Sequence, residues 1–293
     1  MLFCLHSSMQ HGFQSSPFLY VKNESLRIAG RRDIWLILEM MAINRKEHIR
    51  FSGVLPVHNE AAYLPYCLAS ISNAPLYELI CVLDRCTDNS QAILENFRNR
   101  TEYNVRIVQV KDRKWKFPTA EIFAIGFGEA EGDIIYSFGA DCVYEPRIFM
   151  VDWTSVDFAS FGYRDYPLMA KTVRASFVCQ WRNNYSTVKR VFRKKEFSGI
   201  YAFTKDFYAS NPISEDVARE DSFLLDHALK KGYRYRFFPC NNLHLRPALL
   251  SAEKQKLDGI GKAQAHYPLW KVALHSALFL KPETLRGYLE ARS

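Results

Sequence analysis

Five acidic residues in three clusters are the side chains of this sequence that best suit catalysis or ion binding. Asp84 and Asp88 follow one apolar run, Asp141 follows another, and Glu220 and Asp221 stand at the start of a predicted helix. A single carboxylate in such a position usually forms a turn or caps a helix. Carboxylates that converge on one crevice repel each other, so convergence would favour a divalent cation or a reaction that needs a base.

The stretch 51–90 must position the first of these clusters. An apolar run ends at Pro56, the polar segment 58–60 follows it, and apolar residues then recur at helical spacing. A second apolar run, 79–83, ends at Asp84. This order predicts a strand, a helix and a strand, with polar residues at the carboxyl ends of both strands. Those ends border the crevice in which open parallel sheets bind ligands. We therefore expect a ligand at Asn59, Glu60, Asp84 and Asp88.

The rest of the chain divides into two predicted halves. The pattern predicts a helix at 91–100, a strand at 105–110, a helix at 119–131 and a strand at 134–138, which completes a parallel α/β layer. Beyond it, the sequence predicts aromatic-rich alternating segments at 158–163 and 168–178, a basic helix at 180–195, a strand at 199–204, a helix at 220–230 and a strand at 233–239. We interpret this second half as a mixed region stacked against the first sheet.

Composition narrows the class of protein without choosing a function. The 293 residues are 48% hydrophobic, which suffices for a sizeable core in one main domain with appendages. The formal charge of +8 favours anionic partners, although a solvated basic surface explains it equally well. The seven cysteines form no CxxC pair, which favours a reducing compartment and argues against structural zinc. No apolar run approaches the roughly 20 residues of a membrane span.

Four motifs carry a family resemblance. Residues 54–60 read Val-Leu-Pro-Val-His-Asn-Glu, 82–90 read Val-Leu-Asp-Arg-Cys-Thr-Asp-Asn-Ser, 130–135 read Ala-Glu-Gly-Asp-Ile-Ile ahead of Ala140 and Asp141, and 219–221 read Arg-Glu-Asp ahead of a Gly-Tyr strand start. In order and spacing these motifs resemble those of the family 2 glycosyltransferases, which are nucleotide-sugar-dependent enzymes of GT-A fold. The resemblance covers residues 51 to about 245.

The resemblance implies the architecture. It implies an α/β, GT-A-like fold with a Rossmann-like mixed, mainly parallel sheet flanked by helices. The expected divisions are an N-terminal appendage at 1–50, which we interpret as partly disordered, a catalytic domain at 51–247 and a C-terminal helical tail at 248–293.

The resemblance also implies the donor site. Its expected nucleotide-binding residues are Pro56, Asn59, Glu60, Asp84, Asp88 and Lys116. Asp141 would coordinate Mg²⁺ or Mn²⁺ between the two phosphates, and His244 would reach the same metal. Hard cations prefer oxygen ligands and often bind through one or two carboxylates plus substrate phosphates. The family usually has a second carboxylate near each of two positions, where this sequence has Leu83 and Gly139.

The implied reaction is an inverting, metal-dependent transfer. An acceptor hydroxyl would attack the anomeric carbon of a nucleoside-diphosphate sugar, UDP-linked ahead of GDP-linked. A hydroxyl is a poor nucleophile at neutral pH, so a carboxylate must take its proton. We assign this role to Asp221, with Glu220 as its neighbour or the alternate base. The acceptor would be a glycan or a lipid-linked molecule.

Two other functions remain open on the sequence alone. A degenerate GT-A domain that binds a nucleotide or a partner without turnover would explain Leu83 and Gly139. A sugar nucleotidyltransferase would need a Gly-rich phosphate loop after the first strand, where this chain has His-Asn-Glu-Ala-Ala from residue 58. Nucleic-acid binding rests on charge alone, without a recognition motif, and is not expected.

Two segments suggest contact with a membrane surface. The stretch 189–195 is basic, and 266–275 combines aromatic and apolar residues with lysine and histidine. Basic residues attract anionic lipid, and aromatic residues settle at the interface. The alternative is a solvated helix face and a tail packed over the sheet. We therefore expect a cytoplasmic protein, with peripheral association at an anionic membrane surface as a hypothesis.

Overall fold

The computed structural model describes residues 49–166, 179–181, 183–184, 199–246, 251–279 and 281–293. The strands are β1 (Phe51–Val57), β2 (Glu78–Asp84), β3 (Asn104–Val110), β4 (Ile134–Ser137), β5 (Cys142–Val143), β6 (Phe158–Asp165), β7 (Ile200–Thr204) and β8 (Tyr235–His244). The helices are α1 (Leu64–Ile71), α2 (Ser90–Arg98), α3 (Pro118–Glu129), α4 (Lys205–Ser210), α5 (Glu220–Lys230), α6 (Ala252–Gln264), α7 (Leu269–Leu278) and α8 (Pro282–Glu290). The strands form one sheet in the order β3-β2-β1-β4-β7-β6-β8-β5.

The first four strands form the parallel half of the sheet, as the sequence predicts. β1 lies between β2 and β4, with Val54 opposite both Ile80 and Ser137. β2 is buried along its whole length, as expected for a parallel strand covered on both faces. One hydrophobic cluster packs α1 and α2 on the sheet, and a second packs α3 and α5. Because the strand order reverses at β1, the carboxyl ends of β1, β2 and β4 border a crevice.

The remaining strands extend the same sheet, so the predicted stacking of a second region against the first sheet is wrong. β7 runs antiparallel to β4, with Tyr201 opposite Ser137. β6 pairs with β7, and β8 runs parallel to β6. The aromatic residues of this half pack on one another in the sheet; the rings of Phe158 and Tyr201, for example, stack with centroids 5.7 Å apart. The fold is therefore one mixed, mainly parallel sheet flanked by helices, as the GT-A resemblance implied.

Three helices follow residue 251, within the tail predicted at 248–293. α6 and α8 cross so closely that a Cβ atom at Gly259 would lie 2.7 Å from the backbone nitrogen of Tyr288. α6 also packs against the residue before α5, because a Cβ at Gly261 would lie 2.7 Å from Cδ of Arg219. Glycine is required at both positions by these close approaches. The helices therefore hold the start of α5 in place.

Some predictions differ from the structure or fall outside it. β8 continues past the predicted end at residue 239, so that His244 lies in the strand and not after it. The appendage at 1–50, the segment 168–178, the basic helix 180–195 and the basic stretch 189–195 lie wholly or largely outside the described residues. Within the described chain, every helix is too short or too polar to span a membrane.

Candidate active site

The predicted site residues lie along one edge of the sheet. Asp84 ends β2, and Glu60 follows β1 at the same edge because the two strands are parallel. Asp141 follows β4, the other parallel neighbour of β1. β7 is antiparallel to β4, so its first residues reach this edge too. There, a Cβ at Gly199 would lie 4.0 Å from Oδ2 of Asp221. The three acidic clusters thus share one crevice.

Asp141 and His244 meet because β5 pairs with β8. Oδ2 of Asp141 lies 3.3 Å from Nε2 of His244. On the other side of the ring, Nδ1 donates to Oδ1 of Asp165 at 2.8 Å. Burial favours the neutral imidazole, but hydrogen bonds to the two carboxylates raise the pKa of His244 to about 9. Burial also opposes ionisation of Asp141, yet His244 and Arg246 hold the pKa of Asp141 well below its ordinary value.

Arg246 connects Asp141 to Glu60. Its Nε lies 2.9 Å from Oδ2 of Asp141, although the N–H is not aligned for a hydrogen bond. Its terminal nitrogen pairs with the carboxylate of Glu60. The guanidinium lies over the ring of Tyr63, 5.5 Å from the centroid. Burial raises the pKa of Glu60, and the nearby Arg246 offsets only part of that rise. The arginine therefore pairs with two carboxylates, which follow two different strands.

We call this set the Asp141 group: Asp141, His244, Asp165, Arg246 and Glu60. The group fits a divalent cation held by two protein ligands, Oδ2 of Asp141 and Nε2 of His244. A carboxylate that accepts from the other ring nitrogen is the usual support for a histidine ligand, and Asp165 provides it. In the described parts of the chain, no three His, Cys, Asp or Glu side chains are arranged to hold a metal ion. The other ligands would have to come from a bound diphosphate.

Asp84 is buried at the end of β2, where two arginines and a histidine surround its carboxylate. Arg113, in the loop after β3, contacts both oxygens of the carboxylate. Nε of Arg85 lies 3.2 Å from Oδ1, and Nδ1 of His58 lies 3.4 Å from Oδ2. Burial would raise the pKa of Asp84, but the hydrogen bonds and charges of the two arginines, Arg113 above all, bring it below its ordinary value. Asp84 is therefore an ionised carboxylate in a fixed orientation.

Asn59 and Asp88 join the loops that follow β1 and β2. Asn59 has a φ of 56°, and its Oδ1 accepts from the N–H of Thr87 at 2.7 Å and of Asp88 at 3.3 Å. The carboxylate of Asp88 accepts from the N–H of Ala61 at 2.9 Å and of Ser90 at 3.0 Å. Both side chains thus shape the loops that border the crevice.

Pro56 and Lys116 lie at the margin of this site. Pro56 is in β1, beyond the last residue that pairs with β4, so its missing N–H removes no bond to that strand. Lys116 is exposed in the loop between β3 and α3, with Nζ 5.3 Å from the ring centroid of Phe117. The structure brings both to the crevice edge of the sheet, and their predicted contact with a nucleotide stays a prediction.

Glu220 and Asp221 open α5, and both are buried. Asp221 accepts from Arg219 at 3.0 Å and from the N–H of Ser222 at 2.6 Å. Arg219 also pairs with Asp258 of α6, which fixes the start of α5 against the C-terminal helices. Burial, followed by the charge of Asp221, raises the pKa of Glu220. A carboxyl group with a raised pKa beside a second carboxylate is an arrangement suited to proton transfer near neutral pH.

A cavity of about 430 Å³ opens beside Glu220 and Asp221. Thr119 of α3 lines it, together with side chains of α6 and α7 and with Lys281, the residue before α8. One of these side chains, Lys254, also acts electrostatically on Glu60 of the Asp141 group. The cavity and the Asp141 group are therefore neighbouring parts of one crevice.

Sequence reasoning missed two contributors to the site. Asp165 ends the aromatic strand β6, and only the pairing of β6 with β8 brings it to His244. In the sequence, Asp165 is distinguished only as a carboxylate that follows an apolar run. The same pattern is the reason why Asp141 is predicted as a site residue. Arg113 belongs to a loop that is charged throughout, so nothing in the sequence separates it from its neighbours.

About a third of the chain matches the model of a known protein family. Residues 52–149 match the model of Glycosyl transferase family 2. No curated protein matches the sequence. Among solved structures, glucosyl-3-phosphoglycerate synthase from Mycobacterium tuberculosis with Mn²⁺ and UDP-glucose has a TM-score of 0.56 and 19% identity, over 78% of this chain and 81% of that one.

Two further structures have the same degree of similarity. The same synthase with Mn²⁺, UDP and glucosyl-3-phosphoglycerate has a TM-score of 0.54 and 20% identity, over 78% of this chain and 82% of that one. A structure described as a mycobacterial protein has a TM-score of 0.55 and 18% identity, over 78% and 77%. At this identity the similarity concerns the fold, and it confirms the GT-A architecture. The family match over residues 52–149 and this similarity of fold both agree with the resemblance carried by the sequence motifs.

Proposed function

We propose that this chain contains a glycosyl transferase family 2 domain, which transfers a sugar from a nucleoside-diphosphate sugar to an acceptor hydroxyl, with inversion at the anomeric carbon. The observation that carries the proposal is that Asp84, the Asp141 group and the Glu220–Asp221 pair share one crevice edge. The similar M. tuberculosis structures contain UDP or UDP-glucose with Mn²⁺ or Mg²⁺. This content supports UDP ahead of GDP as the nucleotide.

The proposed donor site lies between the ends of β1 and β2. Asp84 would accept a hydrogen bond from the base, and Arg113 would hold its carboxylate in place. The loops joined by Asn59 and Asp88 would form the walls, with Pro56 at the floor. Lys116 would approach the phosphates from the loop after β3. Ligand sites are mostly apolar and contain a few polar groups that orient the ligand. Asp84 and Lys116 would be such groups in this site.

Mg²⁺ or Mn²⁺ is the proposed cofactor, with Asp141 and His244 as its protein ligands. When bound, such an ion stabilises the negative charge that develops on a leaving diphosphate. Asp165 would keep Nε2 of His244 pointed at the site. Arg246 is the nearest permanent cation and would contribute a second positive charge to the same oxygens.

We assign proton removal to the Glu220–Asp221 pair. The acceptor oxygen would bond to the anomeric carbon as the bond from that carbon to the diphosphate breaks, and its proton would pass to a carboxylate. Asp221 is the proposed base, oriented by Arg219 and Ser222. Glu220 is the alternate base, because its raised pKa brings it closer to neutral pH.

Nucleotide binding and turnover test the proposal separately. A thermal-shift panel of UDP, GDP, dTDP and CDP, with and without Mn²⁺, should give the largest rise in melting temperature for UDP with Mn²⁺. Saturation at 100 times the Kd stabilises the folded state by about 2.7 kcal/mol. If no nucleotide raises the melting temperature, the donor site is refuted.

Substitutions in α5 identify the base. Asp221→Asn should abolish release of UDP from UDP-sugars while UDP binding persists, and Glu220→Gln should reduce it less. The matched control is Asp226→Asn, which removes a carboxylate of the same helix that pairs with Lys230 at the surface. Near-normal turnover in Asp221→Asn would remove the base assignment and transfer it to Glu220 if that variant is inactive.

A domain that binds nucleotide without turnover is the second candidate. It is favoured by Gly139 and Leu83, which stand where the family usually has carboxylates. It predicts a UDP-dependent thermal shift in the wild type with no UDP release at any acceptor concentration, so the two assays together distinguish it from the transferase.

We also propose a cytoplasmic location with peripheral contact to anionic membrane. The six cysteines in the described parts of the chain are all free thiols, which supports a reducing compartment. Trp270, Leu274 and Leu278 are exposed at helical spacing on α7, and Trp270 is 63% exposed. α7 contains Lys271 and no acidic residue, so this face complements a negatively charged lipid surface. Co-flotation with phosphatidylserine vesicles, lost in Trp270→Ser, is the expected result; equal flotation with neutral vesicles would contradict it.

A further inference from the structure

The cavity beside Glu220 and Asp221 is lined by groups of two chemical kinds. The carboxyl groups of α5 line it, and so do side chains of α6, α7 and the residue before α8. The charged groups among the latter are Lys254, Asp258, Lys262 and Lys281. The volume of about 430 Å³ is that of a site for a small molecule. The proposed donor residues lie outside this cavity, so its occupant would be a different molecule.

Four cationic side chains line the cavity, against three carboxyl groups. Arg219 pairs with both Asp221 and Asp258, and Lys262 also pairs with Asp258. Within the described residues, Lys254 has no carboxylate at ion-pair distance, and Lys281 also lines the cavity. Lys254 therefore adds a positive charge to the part of the lining that α6 forms.

His275 lines the same cavity and is affected by the charges around it. Its Nδ1 is buried and has no hydrogen-bond partner in the described chain. Burial lowers the pKa of His275, and the charges of Lys262 and Lys281 lower it further. Burial is the larger cause and opposes a charge of either sign, whereas the lysine charges oppose a further positive charge at His275.

We propose that this cavity binds an acceptor that carries a carboxylate or a phosphate group. The anionic group contacts Lys254 and Lys281, while a hydroxyl of the same molecule faces Glu220 and Asp221. The inference rests on the proposed function, because the hydroxyl is the group to be glycosylated. It narrows the acceptor to a small hydroxylated anion, and it excludes a neutral glycan as the molecule bound in this cavity.

A matched set of probes tests the charge requirement. Glycerol, glycerate and phosphoglycerate share a hydroxylated carbon chain and differ in charge, and inorganic phosphate provides the anion alone. Isothermal titration into the full chain, with UDP and Mn²⁺ present and absent, measures binding of each. We expect both organic anions to bind, glycerol not to bind, and inorganic phosphate to compete with phosphoglycerate. Equal binding of glycerol and glycerate, or no binding of any anion, would overturn the proposal.

Variants test the location. Lys281→Met and Lys254→Met should each weaken phosphoglycerate binding about tenfold, as expected when one hydrogen bond to a charged group is lost. Lys271→Met is the matched control, because Lys271 lies on α7 against Trp270 and outside the cavity lining. Unchanged binding in both cavity variants, or equal loss in the control, would refute the assignment.

A second readout separates this inference from the proposed function. The thermal shift with UDP reports the donor site alone. One outcome is that UDP still raises the melting temperature while the charged and neutral probes bind equally. That result would refute the acceptor subsite and leave the transferase proposal intact. Anion binding that depends on Lys281 in a protein without any nucleotide shift would instead refute the transferase and keep an anion site.

Discussion

Replacing Glu220 with glutamine should make the protein more stable, and the gain should grow with pH. Glu220 is 9% exposed and begins α5 beside Asp221. The nearby Arg219 directs its hydrogen bonds to Asp221 and Asp258, and not to Glu220. Burial and the charge of Asp221 therefore raise the pKa of Glu220 from 4.5. Ionisation of Glu220 is therefore less favourable in the folded state than in the unfolded chain.

The sign and size of the effect follow from proton linkage. Below pH 4.5 the carboxyl group is protonated in both states and costs nothing. Between that pH and the raised pKa, the unfolded chain ionises while the folded protein keeps its proton, so the free energy of unfolding falls as pH rises. The slope is at most about 1.4 kcal/mol per pH unit. Glutamine cannot ionise, so Glu220→Gln removes the slope and keeps a side chain of the same shape.

Urea unfolding of the wild type and Glu220→Gln at pH values from about 5 to 9 measures the difference directly. The two free energies should agree near the acidic end and diverge toward the alkaline end. Glu102→Gln is the control, because Glu102 lies on an exposed loop and should follow the wild type at every pH. Parallel curves for the wild type and Glu220→Gln would refute a raised pKa and, with it, the reason for naming Glu220 as an alternate base.

Three further predictions concern the metal ligands, the helix crossing and the buried end of β2. Asp165→Asn should weaken Mn²⁺ binding in the presence of UDP about 10- to 100-fold, measured by isothermal titration, because Asp165 supports the ring of His244; unchanged affinity would exclude His244 as a ligand. Gly259→Ala should lower the free energy of unfolding by about 1–3 kcal/mol or more. The control is Gly128→Ala, whose Cβ would meet nothing within 4 Å and which should raise the free energy of unfolding by about 0.5–1 kcal/mol. Equal urea midpoints for the two variants would contradict the crossing geometry of α6 and α8. Arg113→Met should lower the free energy of unfolding by about 1–3 kcal/mol at pH 7. This last loss should shrink below pH 3.8, as the Asp84 carboxylate protonates; a pH-independent loss would indicate that packing of Arg113, not its charge, is responsible.

The parallel half of the fold could be predicted because its strands are buried on both faces. Such strands are continuous apolar runs, and the helices between them have apolar residues at a spacing of 3 to 4. The second half could not be assigned to the same sheet, because alternating aromatic strands are equally typical of a separate layer. The carboxyl-terminal end of β8 could not be predicted from hydrophobicity, because polar residues form it. Asn242 is fully buried there, and its side chain forms hydrogen bonds with the backbone of Glu145 and Gly162.

The site was predictable in its carboxylates but not in their partners. A strand that ends in an aspartate marks a position at the sheet edge, which is why Asp84 and Asp141 could be named. The sequence does not say which distant strand arrives beside that edge. His244 was named only through the family resemblance, and the ion pairs of Asp84 with Arg113 and of Asp141 with Arg246 required the coordinates.

The two departures from the family pattern have physical explanations in the fold. Adjacent residues of a strand face opposite sides of a sheet. Leu83 is 3% exposed and packs in the core cluster of α1 and α2, while the neighbouring Asp84 keeps its ion pairs. An aspartate at position 83 would place a charge in that cluster, so leucine there stabilises the fold and leaves Asp84 available.

Gly139 has a comparable explanation on the metal side. A Cβ at this position would lie 3.2 Å from Oδ1 of Asp141 and 3.3 Å from Sγ of Cys142. A second carboxylate there would crowd Asp141 without a cation between them. In the described parts of the chain, the carboxylates of Glu60 and Asp165 also lie near Asp141, and each is separated from it by another side chain, that of Arg246 or His244. Residues at or just after the ends of β1, β6 and β8 thus surround Asp141 where the family usually has a second carboxylate.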